Sequence, residues 1–254
     1  MIEVKGLSKR FGATQVLTDI NATFSKGLVN QIIGKSGSGK SVLAKCIVGL
    51  HRPEEGQVLY EGKSFHEMEP EAKREIRQRI GMLFQGSALF DSLTVLDNVM
   101  FPLRMFATMA KSEMEDRAHS CLKRVNILDK DDLFPAELSG GMQKRVGIAR
   151  AIAMNPQYLF CDEPNSGLDP QTSIVIDELI KEITAEFDTT TIVITHDMNS
   201  VMETGEHIIF IHEGKKWWEG SRAELLNSDN KELNEFIFAS ALMRQVKAAM
   251  DNNR

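Results

Sequence analysis

The residues Gly34, Lys35, Ser36, Gly37, Ser38, Gly39, Lys40 and Ser41 carry the pattern GxxxxGK[ST] in full. Glycines in such a loop let consecutive backbone N–H groups turn inward around phosphate oxygens, and a helix starting just after it adds a favourable field. The pattern assigns Lys40 to the β- and γ-phosphates and the Ser41 hydroxyl to Mg²⁺, so ATP and Mg²⁺ are the expected ligands. A cradle of this kind needs a metal-positioning carboxylate at the end of a neighbouring strand. The apolar run Leu159, Phe160 and Cys161 ends in Asp162, which meets that need. Glu163 follows at once, where a second carboxylate could polarise the attacking water. An Asp-Glu pair at a strand end can also be a solvated turn. Pro164 and the polar loop behind it favour the edge of an active site.

Leu138, Ser139, Gly140, Gly141 and Met142 open another helix. Small residues at a helix start form a second anion site, yet one chain already has its cradle. Two such sites make sense when the second faces the nucleotide of another copy. With these residues in place, the chain resembles the nucleotide-binding subunit of an ATP-binding-cassette (ABC) transporter over residues 1–227.

The resemblance implies an α/β P-loop NTPase with a RecA-like core, an antiparallel β-subdomain and a helical subdomain at about residues 93–155. A C-terminal helical extension follows over residues 228–254. It also implies ATP hydrolysis by a homodimer closing head to tail around two Mg·ATP. Lys40 and Ser41 of one copy would then face Ser139, Gly140 and Gly141 of the other. Phe11 stands where the family stacks an aromatic on adenine. Gln85 matches the glutamine joining the metal and γ-phosphate site to the membrane partner. Ser166, Gly167, Leu168 and Asp169 match the loop that crosses the dimer interface. His196 matches the histidine on the γ-phosphate. A lone His at a strand end is more often structural; its Thr195-His196-Asp197 setting reverses that. Catalysis is therefore expected from Glu163, His196 and Gln85, and metal binding from Ser41, Gln85 and Asp162.

The family usually has Gln where Met142 stands, and Gln143 follows it here. Ser139, Gly140 and Gly141, the phosphate-facing part, are intact. Residues 138–146, 85–95 and 98–103 resemble the ATPase of Mla-type phospholipid transporters. That resemblance implies transmembrane permease subunits and an MCE-type lipid-binding protein as partners, and a place on the cytoplasmic face of the inner membrane. An importer of another substrate, such as an amino acid, is the alternative. A soluble ABC ATPase of DNA repair or translation usually carries coiled-coil insertions or two cassettes. This sequence shows one P-loop, one signature and no sustained heptads. A P-loop kinase would leave Ser139 to Gly141 without a task.

The elements that must position these residues are legible as short apolar runs. Strands are expected at residues 2–4, 16–24, 29–33, 57–60, 158–161, 190–195 and 207–211, and helices at 42–48, 111–125 and 139–154. Strands alternating with helices imply a mainly parallel sheet with a helical insertion. Residues 231–249 read as a helix, with Leu233, Phe236, Ile237, Met243, Val246 and Met250 along one stripe. Phe236 and Phe238 could anchor it on a neighbouring copy, or the helix could fold back on its own domain. The Phe- and Met-rich residues 100–109 suit either a groove for a permease helix or ordinary core.

The chain has 254 residues, of which 42% are hydrophobic and 26% charged, a balance that supports a folded core. A net charge of -6 argues against nucleic-acid partners held by bulk positive charge. Cys46, Cys121 and Cys161 are scattered and unpaired in pattern, as buried thiols in a reducing compartment would be. No run reaches the roughly eighteen apolar residues of a membrane span, and the start shows no signal pattern. A membrane role therefore requires a partner.

Overall fold

The computed structural model describes residues 1–239 and 243–245. The chain opens with an antiparallel hairpin of β1 (Ile2–Phe11) and β2 (Thr14–Phe24), followed by β3 (Val29–Ile33) and α1 (Lys40–Ile47). β4 (Glu55–Tyr60) and β5 (Lys63–Ser64) complete a four-stranded antiparallel sheet of order β2-β1-β4-β5. β1 is longer than its apolar start at residues 2–4 announces. Register shifts between Val4 and Lys9 break the alternation that would have marked the rest as strand.

After α2 (Pro70–Gln78) and β6 (Ile80–Leu83), three helices form the insertion: α3 (Val95–Phe106), α4 (Lys111–Arg124) and α5 (Gly140–Ile152). Thr94 caps α3, its side chain accepting from the Asp97 N–H, and Ser139 caps α5 through the Met142 N–H. β7 (Tyr158–Asp162), α6 (Pro170–Phe187), β8 (Thr190–Thr195), α7 (Met198–Thr204), β9 (His207–His212) and β10 (Lys215–Gly220) follow. The second sheet has the order β10-β9-β3-β8-β7-β6 and is parallel except at β10.

Period-two alternation along these strands divides the apolar side chains between packed bodies. Leu159, Cys161 and Val193 face α3 to α6, packing with Val99, Leu122, Ile148 and Ile180. Tyr158, Phe160, Ile192 and Ile194 point the other way, onto α1 and the antiparallel sheet. The three cysteines are free and buried among these groups. The helix at 111–124 buries Ala118, Cys121 and Leu122, which lie at three- and four-residue steps on one face. Among the described residues no helix is long and apolar enough to cross a membrane.

A third cluster joins Ile208 and Phe210 of β9 to Val201, to Leu225 of α8 (Arg222–Leu226), and to Leu233 and Ile237 of α9 (Lys231–Ile237). The expected helix at 231–249 is interrupted, because α9 ends at Ile237. Phe238 leaves helical geometry and is drawn into the cluster, 7% exposed. Residues 243–245 are helical again. Val246, Met250 and residues 251–254 lie outside the described residues. Phe236 stacks 5.4 Å from Phe210, so both aromatic anchors are used within the chain itself. Leu233 is fully buried, and Leu233→Ala should destabilise the fold by about 2–5 kcal/mol. A thermal melt should show Tm falling by roughly 5–15 °C. An unchanged Tm would mean that α9 does not belong to the core.

Candidate functional site

The parallel strands β3, β6, β7 and β8 send their C-terminal ends to one edge, where open α/β sheets place their ligands. The loop after Ile33 has no room for side chains at two points. Gly34 sits at φ 149°, and a Cβ there would lie 2.2 Å from the Ile211 carbonyl oxygen. Gly39, at φ 105°, precedes α1, and a Cβ there would meet Leu17 Cδ2 at 2.7 Å. Lys40 is buried, and its ammonium donates to the carbonyls of Gly34 (2.8 Å) and Lys35 (3.1 Å). Burial pushes its pKa down, against the upward pull of Glu163 and Asp162. The Ser38 hydroxyl is buried inside the loop with no hydrogen-bond partner among the described residues. A phosphate oxygen in the cradle would satisfy it.

Ser41 Oγ donates to Asp162 Oδ1 at 3.1 Å, tying the start of α1 to the end of β7. Burial raises the Asp162 pKa; the Ser41 hydrogen bond opposes the rise and Glu163 adds to it. A divalent cation at these oxygens would relieve that cost. A hydroxyl and a carboxylate are the hard ligands Mg²⁺ takes, with phosphate and water filling the remaining positions. The residues present fit Mg²⁺.

Glu163 lies in left-handed backbone at φ 50°, which costs a non-glycine residue about 1–2 kcal/mol. Its N–H donates to the Ile194 carbonyl at 2.9 Å, and its carboxylate meets His196 Nδ1 at 2.8–2.9 Å. The Glu163 side chain is 12% exposed and that of His196 62%, so the acid is shielded while the ring reaches the opening. Lys40, Ser41, Gln85, Glu163 and His196 line one cleft of about 390 Å³. A shielded carboxylate next to an imidazole, across from a phosphate cradle, can take a proton from a water aimed at a terminal phosphate.

Other expected site residues stand apart from this cleft. Phe11 is exposed at the tip of the β1–β2 hairpin, with Lys9 Nζ 5.0 Å from its ring centre and His51 edge-on at 5.2 Å. Val16 of the same hairpin lines the cleft and Phe11 does not. Ser139, Gly140 and Gly141 are also outside it. Gly141 packs on α6, where a Cβ would come 2.6 Å from Thr172 Cγ2. Asp169 caps that helix, accepting from the Thr172 N–H (3.0 Å) and hydroxyl (2.6 Å). The Thr172 hydrogen bonds hold its carboxyl below the usual range.

Two buried charges have no role that the sequence motifs assign. Lys144 of α5 is 4% exposed and donates to the backbone carbonyls of Gln85 and Glu163, the latter at 3.3 Å. Asp177 of α6 accepts from Asn165 Nδ2 (2.9 Å) and Ser200 Oγ (2.8 Å), joining the loop after Glu163 to α7 after His196. A charged residue within a helix reads as solvated until its tertiary neighbours are known. Only Lys144's place on the otherwise small, apolar buried face of α5 hints at more.

Burial pushes the Asp177 carboxyl up to about 6, with the Ser200 and Asn165 hydrogen bonds opposing and Asp197 and Glu203 adding. The native state therefore holds this proton at a higher pH than the unfolded chain. Stability from the protonated form is complete below about pH 4 and is lost as pH rises to about 6. Asp177→Asn removes the buried charge, and an inverted Asn165 amide could then present its unpaired Oδ1 to the new amide. The variant should be up to ~3 kcal/mol more stable at pH 7. Urea melts should also lose their slope between pH 4 and 6. A destabilised variant at pH 7 would show that the ionised carboxylate is needed.

The geometry agrees with the comparisons. A family model described as ABC transporter matches residues 17–166, from the β2 strand to the loop after Glu163. The chain belongs to the ABC transporter family. This ABC protein is 39% identical over 236 residues to the probable ribonucleotide transport ATP-binding protein mkl of Mycobacterium leprae, covering 93% of the chain and 68% of that protein. It is 41% identical over 226 residues to the methionine import ATP-binding protein MetN of Protochlamydia amoebophila, covering 87% and 66%. The chain thus spans about two thirds of the length of these curated relatives. Its fold matches a dimeric, post-hydrolysis state of the ATP-binding cassette MJ0796 bound to ADP and Pi, with TM-score 0.80 and 34% identity over 87% of this chain and 99% of that one. It also matches cbiO1 from Clostridium perfringens, part of the ABC transporter complex cbiONQ, with TM-score 0.83 and 28% identity over 98% of both chains. By family and fold, the ABC protein is an ATP-binding cassette ATPase.

Proposed function

We propose that this chain is the ATP-hydrolysing subunit of a membrane transporter and works as a homodimer. The observation that carries the reading is the meeting of Ser41 with Asp162 and of Glu163 with His196 on the cleft that Lys40 closes. Lys40 and the loop from Gly34 to Ser41 hold the phosphates, while Ser41, Asp162 and Gln85 hold Mg²⁺. An Mg²⁺ held by these residues would supply positive charge to offset that of the phosphates. Glu163 takes the proton of the attacking water, the water oxygen bonds to the γ-phosphorus, and the bond to the β–γ bridging oxygen breaks. His196 holds the γ-phosphate and orients Glu163. Ser139, Gly140 and Gly141, outside the cleft of their own chain, face the γ-phosphate held by a second copy. Asp169 stands at that interface, and Phe11 stacks on the adenine.

An apolar groove of about 410 Å³ lies behind the Gln85 loop, lined by Phe84, Phe90, Phe101, Pro102 and Phe106. Met100 and Leu103 on the same helix are buried, whereas Met105 and Phe106 are exposed. The helix thus serves both core and groove, and a cytoplasmic helix of the permease docks in the groove at the inner membrane. The cargo is phospholipid, delivered with an MCE-type lipid-binding protein. The resemblance of residues 85–95 and 138–146 to Mla-type ATPases supports this reading. The identity to MetN supports an amino-acid importer as the second reading. Isolation of the chain from native membranes decides between them. Co-isolation with a permease and an MCE-domain protein, and ATPase stimulation by phospholipid vesicles, is the expected result. Stimulation by methionine with its binding protein overturns the lipid assignment.

A further inference from the structure

Lys144 is an unusual residue to bury. Its ammonium is held by two neutral backbone carbonyls, while Cys161, Asp162 and Glu163 act on its charge from a distance. An apolar side chain would fill the same space without the desolvation that pushes its pKa down. The two carbonyls belong to Gln85 and Glu163, two residues of the cleft on different strand ends. α5, which carries Lys144, starts at Ser139.

We propose that Lys144 is a positioning residue for hydrolysis. It locks the Glu163 peptide to α5 and to the Gln85 loop, so that the Glu163 carboxylate stays aimed at the attacking water. The inference rests on the hydrolytic reading given under Proposed function. Two observations narrow the role to Glu163. Arg150, six residues further along α5, already holds the loop after Gln85, donating to the carbonyls of Ser87 and Ala88 at 2.7 Å each. That loop therefore keeps its shape without Lys144. On its carbonyl side Glu163 also accepts from the Ser166 N–H at 3.1 Å, but that is a turn within its own loop. Its left-handed backbone is tied to other elements by the Ile194 carbonyl at its N–H and by Lys144 at its carbonyl oxygen. Released from α5, the turn from Glu163 to Ser166 can shift as a unit and carry the carboxylate away from His196. The cradle at Lys40 and Ser41 is untouched by that shift.

The test is steady-state and single-turnover ATP hydrolysis by the full chain carrying Lys144→Met, Lys144→Arg, Glu163→Gln, or Lys144→Met with Glu163→Gln. Lys144→Met should lower kcat by roughly 10- to 100-fold, the scale of a misplaced reacting group. KM for ATP should stay within about threefold, since the phosphate cradle is intact. Lys144→Arg, which keeps the donors, should recover most of the rate. In the Glu163→Gln background, Lys144→Met should cost nothing further, because its effect passes through Glu163. An unchanged kcat in Lys144→Met overturns the proposal. So does a loss that multiplies in both backgrounds, or one carried by KM. Should Lys144→Met not fold, Lys144→Gln, with a shorter reach, decides by the same split between kcat and KM. Failure of the wild-type chain to turn over ATP would instead remove the hydrolytic reading, and this role with it.

Discussion

Glu163→Gln should lower kcat for ATP by roughly 10²–10³-fold while the chain still binds nucleotide. The amide keeps the size of the side chain and can still contact His196, so the backbone at residue 163 need not move. What it lacks is a basic oxygen for the water proton, and the loss falls on the chemical step alone. ATP-bound dimers, unable to reopen, should accumulate and be visible by size-exclusion chromatography in Mg·ATP. Near-normal phosphate release would take Glu163 out of the proton-accepting role and leave His196 as the next candidate.

Lys40→Met should act at the other end of the site, on binding. A charge-assisted contact to phosphate is worth about 1.5–3 kcal/mol, so one such contact alone accounts for a loss of ATP affinity of roughly 10- to 100-fold. The free protein should not suffer equally. The ammonium of Lys40 is desolvated, and burial works against its charged form, so an apolar replacement removes a cost as well as two hydrogen bonds to the loop. Melting curves separate the two effects. The nucleotide-free Tm should stay near the wild-type value, while the rise in Tm on adding Mg·ATP should shrink well below the wild type's. An ATP-induced rise equal to the wild type's would show that Lys40 does not hold the phosphates.

Much of the site was legible because its chemistry is written in contiguous residues. Gly34 to Ser41 is one loop, and Leu159 to Asp162 one strand with its ligand at the end. β3 and β8 appear where they are expected, at residues 29–33 and 190–195, although Asn30, Gln31 and the threonines of β8 interrupt their apolar residues and are buried with them. Where polar residues and bulges intervene, as in β1 between Lys5 and Arg10, the pattern hides the strand. The α9 region failed differently. Its apolar stripe is genuine, but packing of Phe238 against the third cluster overrode helical continuation. Contacts between distant segments left no local trace. Glu163 with His196, Lys144 with Gln85, and Asp177 with Ser200 are separated by 33, 59 and 23 residues. Resemblance supplied a role for His196, which the residue itself could not. It supplied none for Lys144 or Asp177.

The left-handed backbone at Glu163 sets stability against activity within a single residue. Glycine would adopt φ 50° without steric cost, and Asn or Asp more easily than Glu. The sequence that best suits the backbone at this turn is therefore not the one that supports the chemistry. Mutational drift should press position 163 toward glycine or asparagine, and only continued demand for turnover holds glutamate in place. Among descendants of such a cassette, the identity of this residue is then a record of use. A glutamate marks a site that still has to hydrolyse, and a relaxed residue marks one that has kept its fold and retired from the reaction.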